Sequence, residues 1–398
     1  MYLIFWTLLL LCILNNQKVC CHELFKVEFE WSHINYLWPS NLEYLEASAK
    51  GKYIPENVVF TGIKVYRDKL FLTTPKYRPG VPATLTYIPL RSNKKVNQPL
   101  IPYPDWEMNN DSYCGHLQSV QSMEIDPQGI MWVIDGVRIQ YNTNCPCKLL
   151  LLDLNNSGKV IHKYVFPNEV CLGNGAFLND IVLDGDHAYM TDNSYIDPGL
   201  IVYSRKANQA WKLRDRSMFP EENAPKFSVD GTPVTLKVAI DGIALSPKTV
   251  GRSVDRTLYY SPVTGYDLFS IQTSVLKNFS LFQNAKFRDK IKLIGRKQGA
   301  TDGMMMDNVG NLFYTLVSHN AVGRWNIKTP FKNATILYQN NSSMIWPDTF
   351  GMTQSGYLYM TSNYVSNYLD PNVELKLSST IKFRVWKFHS GTMSYMYD

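Results

Sequence analysis

One stretch of the 398-residue sequence decides the fold, and it reads Val120-Gln121-Ser122-Met123-Glu124-Ile125-Asp126-Pro127-Gln128-Gly129-Ile130-Met131-Trp132-Val133. An apolar strand leads into a turn of Asp, Pro and Gly, and a second strand rich in large apolar residues follows. Segments with the same pattern begin at Gly62, Asn179, Asp241, Asp302 and Asp348. A group of short strands that recurs about every 45–60 residues is typical of a β-propeller. The sequence therefore predicts an all-β fold, a six-bladed β-propeller formed by residues 22–398 as one domain.

Residues 25–31 are predicted to close the ring. They alternate in the manner of a strand, and they lie ahead of the first repeat. A propeller protects its strand edges when a strand from one end of the chain completes the blade formed by the other end. We therefore expect this segment in the last blade.

Residues 1–21 are predicted to be a signal peptide. Between residues 3 and 14 only Thr7 and Cys12 interrupt an apolar run, and small residues up to Cys21 provide a cleavage region. The run is too short to span a bilayer comfortably, although a membrane anchor is the alternative. The rest of the sequence has no second apolar stretch of that kind. We therefore expect a secreted, extracellular protein with no membrane partner.

The formal net charge of +6 is scattered along the chain, and no basic run is longer than Lys94-Lys95. Nucleic acid and anionic membranes are therefore not expected as partners. The sequence does not indicate an oligomeric state.

Cysteines and sequons are consistent with an extracellular protein. The four cysteines beyond the predicted leader are Cys114, Cys145, Cys147 and Cys171. An even number of cysteines in an oxidising compartment predicts two disulfide bonds. Asn-x-Ser/Thr sequons predict N-glycosylation at Asn110, Asn155, Asn278, Asn333, Asn340 and Asn341.

Several motifs resemble those of the yellow / major royal jelly protein family, secreted proteins of mostly insect origin. They are Pro75-Lys76-Tyr77-Arg78-Pro79-Gly80-Val81-Pro82-Ala83-Thr84-Leu85, Pro102-Tyr103-Pro104-Asp105-Trp106, Cys114-Gly115-His116-Leu117-Gln118-Ser119-Val120 and Met131-Trp132-Val133-Ile134-Asp135. The resemblance implies the pairing Cys114–Cys145, which puts Cys147 with Cys171. Family members often carry a cysteine before the Leu-Trp strand, where this chain has Pro127-Gln128.

Polar residues at the starts of the inner strands form the candidate site. Propellers place small-molecule sites at the top of the central channel, where these strands begin. In the repeat those positions are Gln121, Asn179, Asp180, Asp241, Asp302 and Asp348. Converging carboxylates are costly unless a cation, an amine or a proton offsets them. The alternative is that each Asp caps a turn.

The resemblance also suggests a ligand for this site. Yellow-related salivary proteins of blood-feeding insects bind biogenic amines in the channel, and by resemblance their contact positions fall on Asp348 and Asn363. Asp348 would pair with the ammonium group, Asn363 would bind a ring hydroxyl, and Trp346 or Tyr364 would cover the ring. The leading hypothesis is a secreted binding protein for a small amine or catechol-like ligand.

Two enzymatic alternatives stay open. Some family members are similar to dopachrome-converting tautomerases of melanin chemistry, and a base for that reaction would come from His116, Asp241 or Asp302. Asn179, Asp241 and Asp302 also resemble the metal ligands of gluconolactonase-type propellers. Their oxygen ligands fit Ca²⁺, which would make the protein a metal-dependent lactonase.

Overall fold

A computed structural model of the chain describes residues 25–139, 143–248 and 255–397. The predicted signal peptide, residues 1–21, lies outside the described residues. The described part forms six four-stranded antiparallel sheets, and the innermost strands of neighbouring sheets contact one another around a closed ring. This arrangement is the six-bladed β-propeller that the repeat predicts.

The first half of the chain contributes a strand, a helix and three blades, with the strands of each blade running outward from the axis. The elements before the first blade are β1 (Lys26–Trp31) and α1 (Asn41–Ala49). Blade 1 consists of β2 (Ile63–Tyr66), β3 (Lys69–Thr73), β4 (Leu85–Pro89) and β5 (Ile101–Pro102). Blade 2 consists of β6 (Val120–Ile125), β7 (Ile130–Asp135), β8 (Lys148–Asp153) and β9 (Lys159–Val165). Blade 3 consists of β10 (Leu178–Asp184), β11 (His187–Asp192), β12 (Gly199–Ser204) and β13 (Gln209–Leu213).

The second half contributes a small hairpin and three further blades. The hairpin is β14 (Ser228–Val229) with β15 (Thr232–Pro233). Blade 4 consists of β16 (Ile240–Leu245), β17 (Thr257–Pro262), β18 (Asp267–Gln272) and β19 (Lys292–Arg296), with α2 (Thr273–Leu276) and α3 (Phe279–Gln283) before its last strand. Blade 5 consists of β20 (Met304–Met306), β21 (Asn311–Leu316), β22 (Ala321–Asn326) and β23 (Thr335–Gln339). Blade 6 contains β24 (Pro347–Met352), β25 (Tyr357–Ser362) and β26 (Phe383–His389), with α4 (Val365–Leu369) between the last two. Short 3₁₀ helices lie at Pro55–Asn57, Leu154–Asn156, Arg216–Met218, Arg288–Lys290, Val317–His319 and Phe331–Asn333.

Burial falls from the axis to the rim of the propeller. Every residue of β6, β10, β16 and β24 is buried, because an inner strand has neighbouring blades against both of its faces. In the outermost strand β9, by contrast, most residues are exposed. Polar residues on the inner strands are therefore buried with no access to bulk water, which makes their partners important.

Both ends of the described chain fasten the ring. β1 pairs antiparallel with β26 and supplies the outermost strand of blade 6, so the prediction for residues 25–31 is confirmed. At the base of the channel, the hydroxyl of Tyr395 accepts a hydrogen bond from the backbone N–H of Leu183 at 2.8 Å. The guanidinium of Arg256 donates to the carbonyl oxygen of Tyr395 at 3.2 Å. The C-terminal segment thereby closes the lower end.

The disulfide prediction is confirmed in both its number and its pairing. Cys114 bonds to Cys145 and Cys147 bonds to Cys171. The two bonds tie the loops before blades 2 and 3 to the start of strand β8.

The sequon asparagines lie on the surface or close to it, and their glycosylation stays a prediction. Asn340 is half-buried and the others are exposed. No helix among the described residues is long and apolar enough to cross a membrane.

Glycines after two of the inner-strand carboxylates let neighbouring blades approach closely. A Cβ atom on Gly242 would overlap the carbonyl oxygen of Asp302, and one on Gly303 would overlap that of Asp348. Glycine is needed at these positions because a side chain would not fit, and not because of the backbone conformation, since neither glycine has a positive φ angle. The Asp-Gly dipeptides therefore combine a side chain for the channel with a contact between blades.

We expect Gly242→Ala to destabilise the protein by about 2–3 kcal/mol, because the added methyl group pushes the inner strand of blade 5 away from that of blade 4. Chemical unfolding of the purified protein measures this change. Gly173→Ala is the matched control, since the nearest atom to its added Cβ lies 3.7 Å away. Equal stability of the two variants would contradict the close-approach explanation.

Candidate functional site

Irregularities in the inner strands turn the polar residues toward the axis. The pairing of inner strand to second strand is interrupted between Val120 and Ser122, between Leu178 and Ile181, between Ile240 and Ile243, and between Pro347 and Phe350. Each interruption is a bulge that leaves one or two residues unpaired and re-aims their side chains. The predicted positions in blades 2, 3, 4 and 6 all fall within these interruptions.

Threonines on the second strands hold the bulges in place, and they were not predicted from the sequence. Thr191 Oγ1 accepts from the backbone N–H of Asp180 at 3.1 Å and donates to the carbonyl oxygen of Asp241 at 2.9 Å. It therefore links the bulge of blade 3 to the next blade. Thr73 and Thr361 make equivalent links from their own blades to a neighbouring one. A Thr near the end of the second strand recurs in blades 1, 3, 5 and 6, as Thr73, Thr191, Thr315 and Thr361, and this recurrence was the signal available in the sequence.

These residues surround a small cavity at the top of the channel, with a volume of about 20 Å³. Its polar lining includes Gln121, Asn179, Asp241, Asp302 and Asp348, as predicted, together with Tyr77 and Asn193. Its apolar lining consists of Phe177, Val238, Val263, Trp346, Val365 and Leu369. The cavity holds no more than a water molecule or an ammonium group as it stands.

Asp241 is the centre of the hydrogen bonds in this cavity. Its Oδ2 accepts from Asn179 Nδ2 at 2.7 Å and from Asn193 Nδ2 at 2.6 Å. Its Oδ1 meets no N–H or O–H donor in the described chain, and the neighbouring Asp302 carboxyl can donate to it only while it carries a proton. The Oδ1 atom of Asn193 is also buried without a partner among the described residues. The cavity therefore presents buried acceptors that need a donor.

The three carboxyl groups resist ionisation. Burial raises the pKa of Asp241 to about 7, with the charge of Asp348 contributing. Burial and the adjacent Asp241 raise the pKa of Asp302 well above its ordinary value, and burial and Asp302 do the same for Asp348. At neutral pH the carboxyls therefore retain protons that a cation would displace.

Trp346 and Asn363 hold two of these carboxyls in position. Trp346 has a φ angle of 45°, a left-handed conformation that is rare for a bulky residue, and its Nε1 donates to Asp302 Oδ2 at 2.6 Å. Asn363 Nδ2 donates to Asp348 Oδ2 at 2.9 Å and to the carbonyl oxygen of Phe60 at 2.7 Å, while its Oδ1 accepts from Val365 N–H. Asn363 therefore orients Asp348, and its amide is already engaged rather than turned to a ring hydroxyl.

Three further predicted residues do not line the cavity. Asp180 lies deeper in the channel, where it accepts from Ser122 Oγ at 3.0 Å, and burial raises its pKa. His116 lies in a surface loop, where its Nδ1 is 3.0 Å from the carbonyl oxygen of Asn110. Tyr364 is half-buried beside Asp230, outside the cavity lining. The geometry thus gives no support to His116 as the catalytic base or to Tyr364 as the ring cover.

The metal-ligand hypothesis finds no matching geometry. No three His, Cys, Asp or Glu side chains in the described ranges come together in a way that could hold a metal ion. Asn179 instead uses its amide N–H to hydrogen-bond Asp241. The Ca²⁺ site therefore stays a prediction, and no step of the chemistry below involves it.

A hairpin of residues 227–234, here called the cap hairpin, packs over Trp346, which belongs to the apolar lining of the cavity and is here called its roof. Val229 is buried in the same cluster as the roof residue Trp346, and the Phe227 ring lies 6.4 Å from the Trp346 ring. Asp230 contacts the Tyr364 side chain. Most other residues of this hairpin are exposed. Because most of its residues are exposed, its opening costs less than disruption of a blade.

Comparisons with known proteins identify relatives of this chain. The structure is similar to luciferin-regenerating enzyme, with a TM-score of 0.49 and 13% identity over 87% of this chain and 95% of that chain. The sequence is 27% identical over 402 residues to Protein yellow of Drosophila melanogaster, covering 98% of this chain and 73% of that protein. It is 26% identical, with the same coverage, to Protein yellow of Drosophila simulans. A family model described as major royal jelly protein matches residues 118–393. The chain therefore belongs to the major royal jelly protein family.

We expect Asp241→Asn to stabilise the protein at neutral pH. A buried carboxyl with a raised pKa stabilises the fold while protonated, and this stability is lost as the pH rises through the folded-state value of about 7. The neutral amide avoids that loss, so the variant should be more stable by roughly 2–4 kcal/mol near pH 8 and no more stable near pH 4. Urea unfolding across this pH range measures the difference.

Asp135→Asn is a control that should change the stability of the protein in the opposite direction. Asp135 is also buried, but Lys148 at 2.6 Å and Arg138 at 3.2 Å hold its pKa below the ordinary value. Its replacement leaves buried cations uncompensated and should destabilise the protein at neutral pH. If both variants lost stability at neutral pH, the interpretation of Asp241 would be wrong.

Proposed function

We propose that this chain is a secreted binding protein for a small organic amine, whose ammonium group takes the place of the protons among Asp241, Asp302 and Asp348. The observation that carries this proposal is a pair of buried acceptors beside carboxyls with raised pKa values: Asn193 Oδ1 has no donor among the described residues, and Asp241 Oδ1 has only the proton of Asp302. An ammonium group brings three N–H donors and one positive charge. It therefore offsets both the unpaired acceptors and the mutual repulsion of the carboxylates.

The ring of the ligand would need space that the apolar lining of the cavity now fills. A cavity of about 20 Å³ accommodates an ammonium group but not an aromatic ring. Displacement of the cap hairpin would uncover Trp346, against which Phe227 packs, and the rings of Tyr77 and Phe177 line the same cavity next to the carboxyls. An aromatic amine, including a catechol, fits this combination of an acidic base and aromatic walls.

Secretion is supported by three separate features. The described chain has two disulfide bonds, which form and persist in oxidising compartments. The predicted leader and the surface sequons agree with that compartment.

Calorimetric titration with dopamine and serotonin tests the proposal. At about pH 8, we expect Asp241→Asn and Asp348→Asn each to weaken binding by 10- to 100-fold, or roughly 1.5–3 kcal/mol, because each removes a charge-assisted hydrogen bond. Asp289→Asn, at an exposed position, should have no effect. The expected gain in stability of the Asp241 variant ensures that its weaker binding does not arise from unfolding.

The alcohol counterpart of dopamine, in which a hydroxyl replaces the amine, is the matched control ligand. It keeps the ring and loses the charge, so it should bind at least tenfold more weakly. Equal affinities for the amine and the alcohol would overturn the proposal.

The affinity for the amine should depend on pH in a predictable direction. Because Asp241, with a pKa of about 7, must lose its proton to pair with the ammonium group, the affinity should fall as the pH drops below this value. The fall approaches tenfold per pH unit if one proton is released. Titrations between about pH 8 and pH 5.5 measure it, and a flat profile would contradict a role for Asp241.

A dopachrome-type tautomerase is the second candidate, and the raised pKa of Asp241 favours it. A carboxyl with a pKa of about 7 is suited to both taking up and releasing a proton at neutral pH. Loss of dopachrome colour above the spontaneous rate, abolished by Asp241→Asn, would support the enzyme. Amine binding without turnover would support the binding protein alone. The metal-dependent lactonase stays a prediction without geometric support.

A further inference from the structure

The segment of residues 75–82 separates two cavities of different character. Tyr77 lines the acidic cavity in the channel. Its neighbours Lys76 and Arg78 line a second pocket of about 700 Å³ on the outer side of the same segment. This volume is typical of small-molecule sites. We propose that the second pocket binds a small anion with a planar aromatic body, independently of the amine site.

Aromatic side chains form one wall of this pocket. The rings of Trp38 and Trp106 stack with their centroids 4.8 Å apart and their planes 27° apart, and both rings are only partly buried. Trp106 ends the Pro-Tyr-Pro-Asp-Trp motif, and Val81 and Pro82 from the preceding motif complete the apolar lining. The exposed part of the two indoles offers an aromatic surface to a planar ring.

The charge of the pocket favours an anion. Its lining contains the cations Lys52, Lys76 and Arg78, and Asp111 is its one acidic residue. Lys76 is buried with Nζ 2.5 Å from Asp111 Oδ2, so this pair is internally compensated. The remaining positive charge comes from Lys52, which is exposed at the pocket, and from Arg78.

The guanidinium of Arg78 is already engaged in hydrogen bonds to the backbone. It donates to the carbonyl oxygens of Tyr368 and Asp370 at the end of helix α4. Because these bonds fix the guanidinium, Lys52 is the flexible group that can reach a carboxylate on the ligand. The pocket therefore combines an aromatic wall with a mobile cation, the reverse of the acidic channel cavity.

A series of three probes with the same ring and different charges tests this proposal. They are phenylacetate, phenylacetamide and 2-phenylethylamine, each titrated by calorimetry into the full-length protein. We expect phenylacetate to bind at least tenfold more tightly than phenylacetamide. Lys52→Gln should weaken phenylacetate binding by about 3- to 10-fold, since the lost ion pair is partly exposed to solvent. The amine probe should be unaffected by this variant.

Trp106→Leu is the second variant, and thermal unfolding establishes that it is folded. It should reduce phenylacetate binding at least fivefold, through loss of the stacking surface, and leave 2-phenylethylamine binding unchanged. Asp348→Asn should have the opposite selectivity, which separates failure of this proposal from failure of the amine site. Absence of phenylacetate binding up to about 10 mM, or binding that neither Lys52→Gln nor Trp106→Leu weakens, would overturn the second site.

Discussion

The burial of three carboxyl groups around one axis is the constraint on which the channel of this propeller depends. Asp241, Asp302 and Asp348 come from three neighbouring blades, and burial raises the pKa of each. The desolvation and mutual repulsion of such groups oppose folding at neutral pH. The fold tolerates them because protons, amide donors and the indole of Trp346 satisfy most of their oxygens. The oxygens left unsatisfied mark the place for a ligand.

The buried carboxylates that oppose folding lie in the same segments that bring neighbouring blades into contact. Each of Asp241 and Asp302 precedes a glycine whose missing Cβ lets the next inner strand approach. The bulges that re-aim the side chains are held by threonines bonded to a neighbouring blade. Substitutions of the channel carboxylates therefore affect both ligand binding and the packing of the blades. Because Asp→Asn keeps the shape of the side chain, it is more informative than truncation to Ala.

The features of this structure that depend on residues close together in the chain could be predicted from the sequence. The repeat positions gave the six blades and placed Asp241, Asp302 and Asp348 at the channel. The sequence could not place Tyr77 or Asn193 in the same cavity, since those contacts join segments far apart in the chain. The sequence also could not show that the Asn363 amide is already hydrogen-bonded to Asp348. The orientation of this amide depends on a second hydrogen bond, to the carbonyl oxygen of Phe60, which lies some 300 residues away in the chain. The sequence of the cap hairpin likewise does not indicate what the hairpin covers.

The exchange of a proton for a cation at Asp241 and its neighbours can be measured as proton release. Titration of the protein with dopamine near pH 7, in buffers with different enthalpies of ionisation, gives the number of protons released for each ligand bound. We expect between about 0.5 and 1 proton per dopamine, because the cavity is partly protonated before binding. Binding with no proton release would show that the carboxyls are already ionised, or that the amine binds elsewhere.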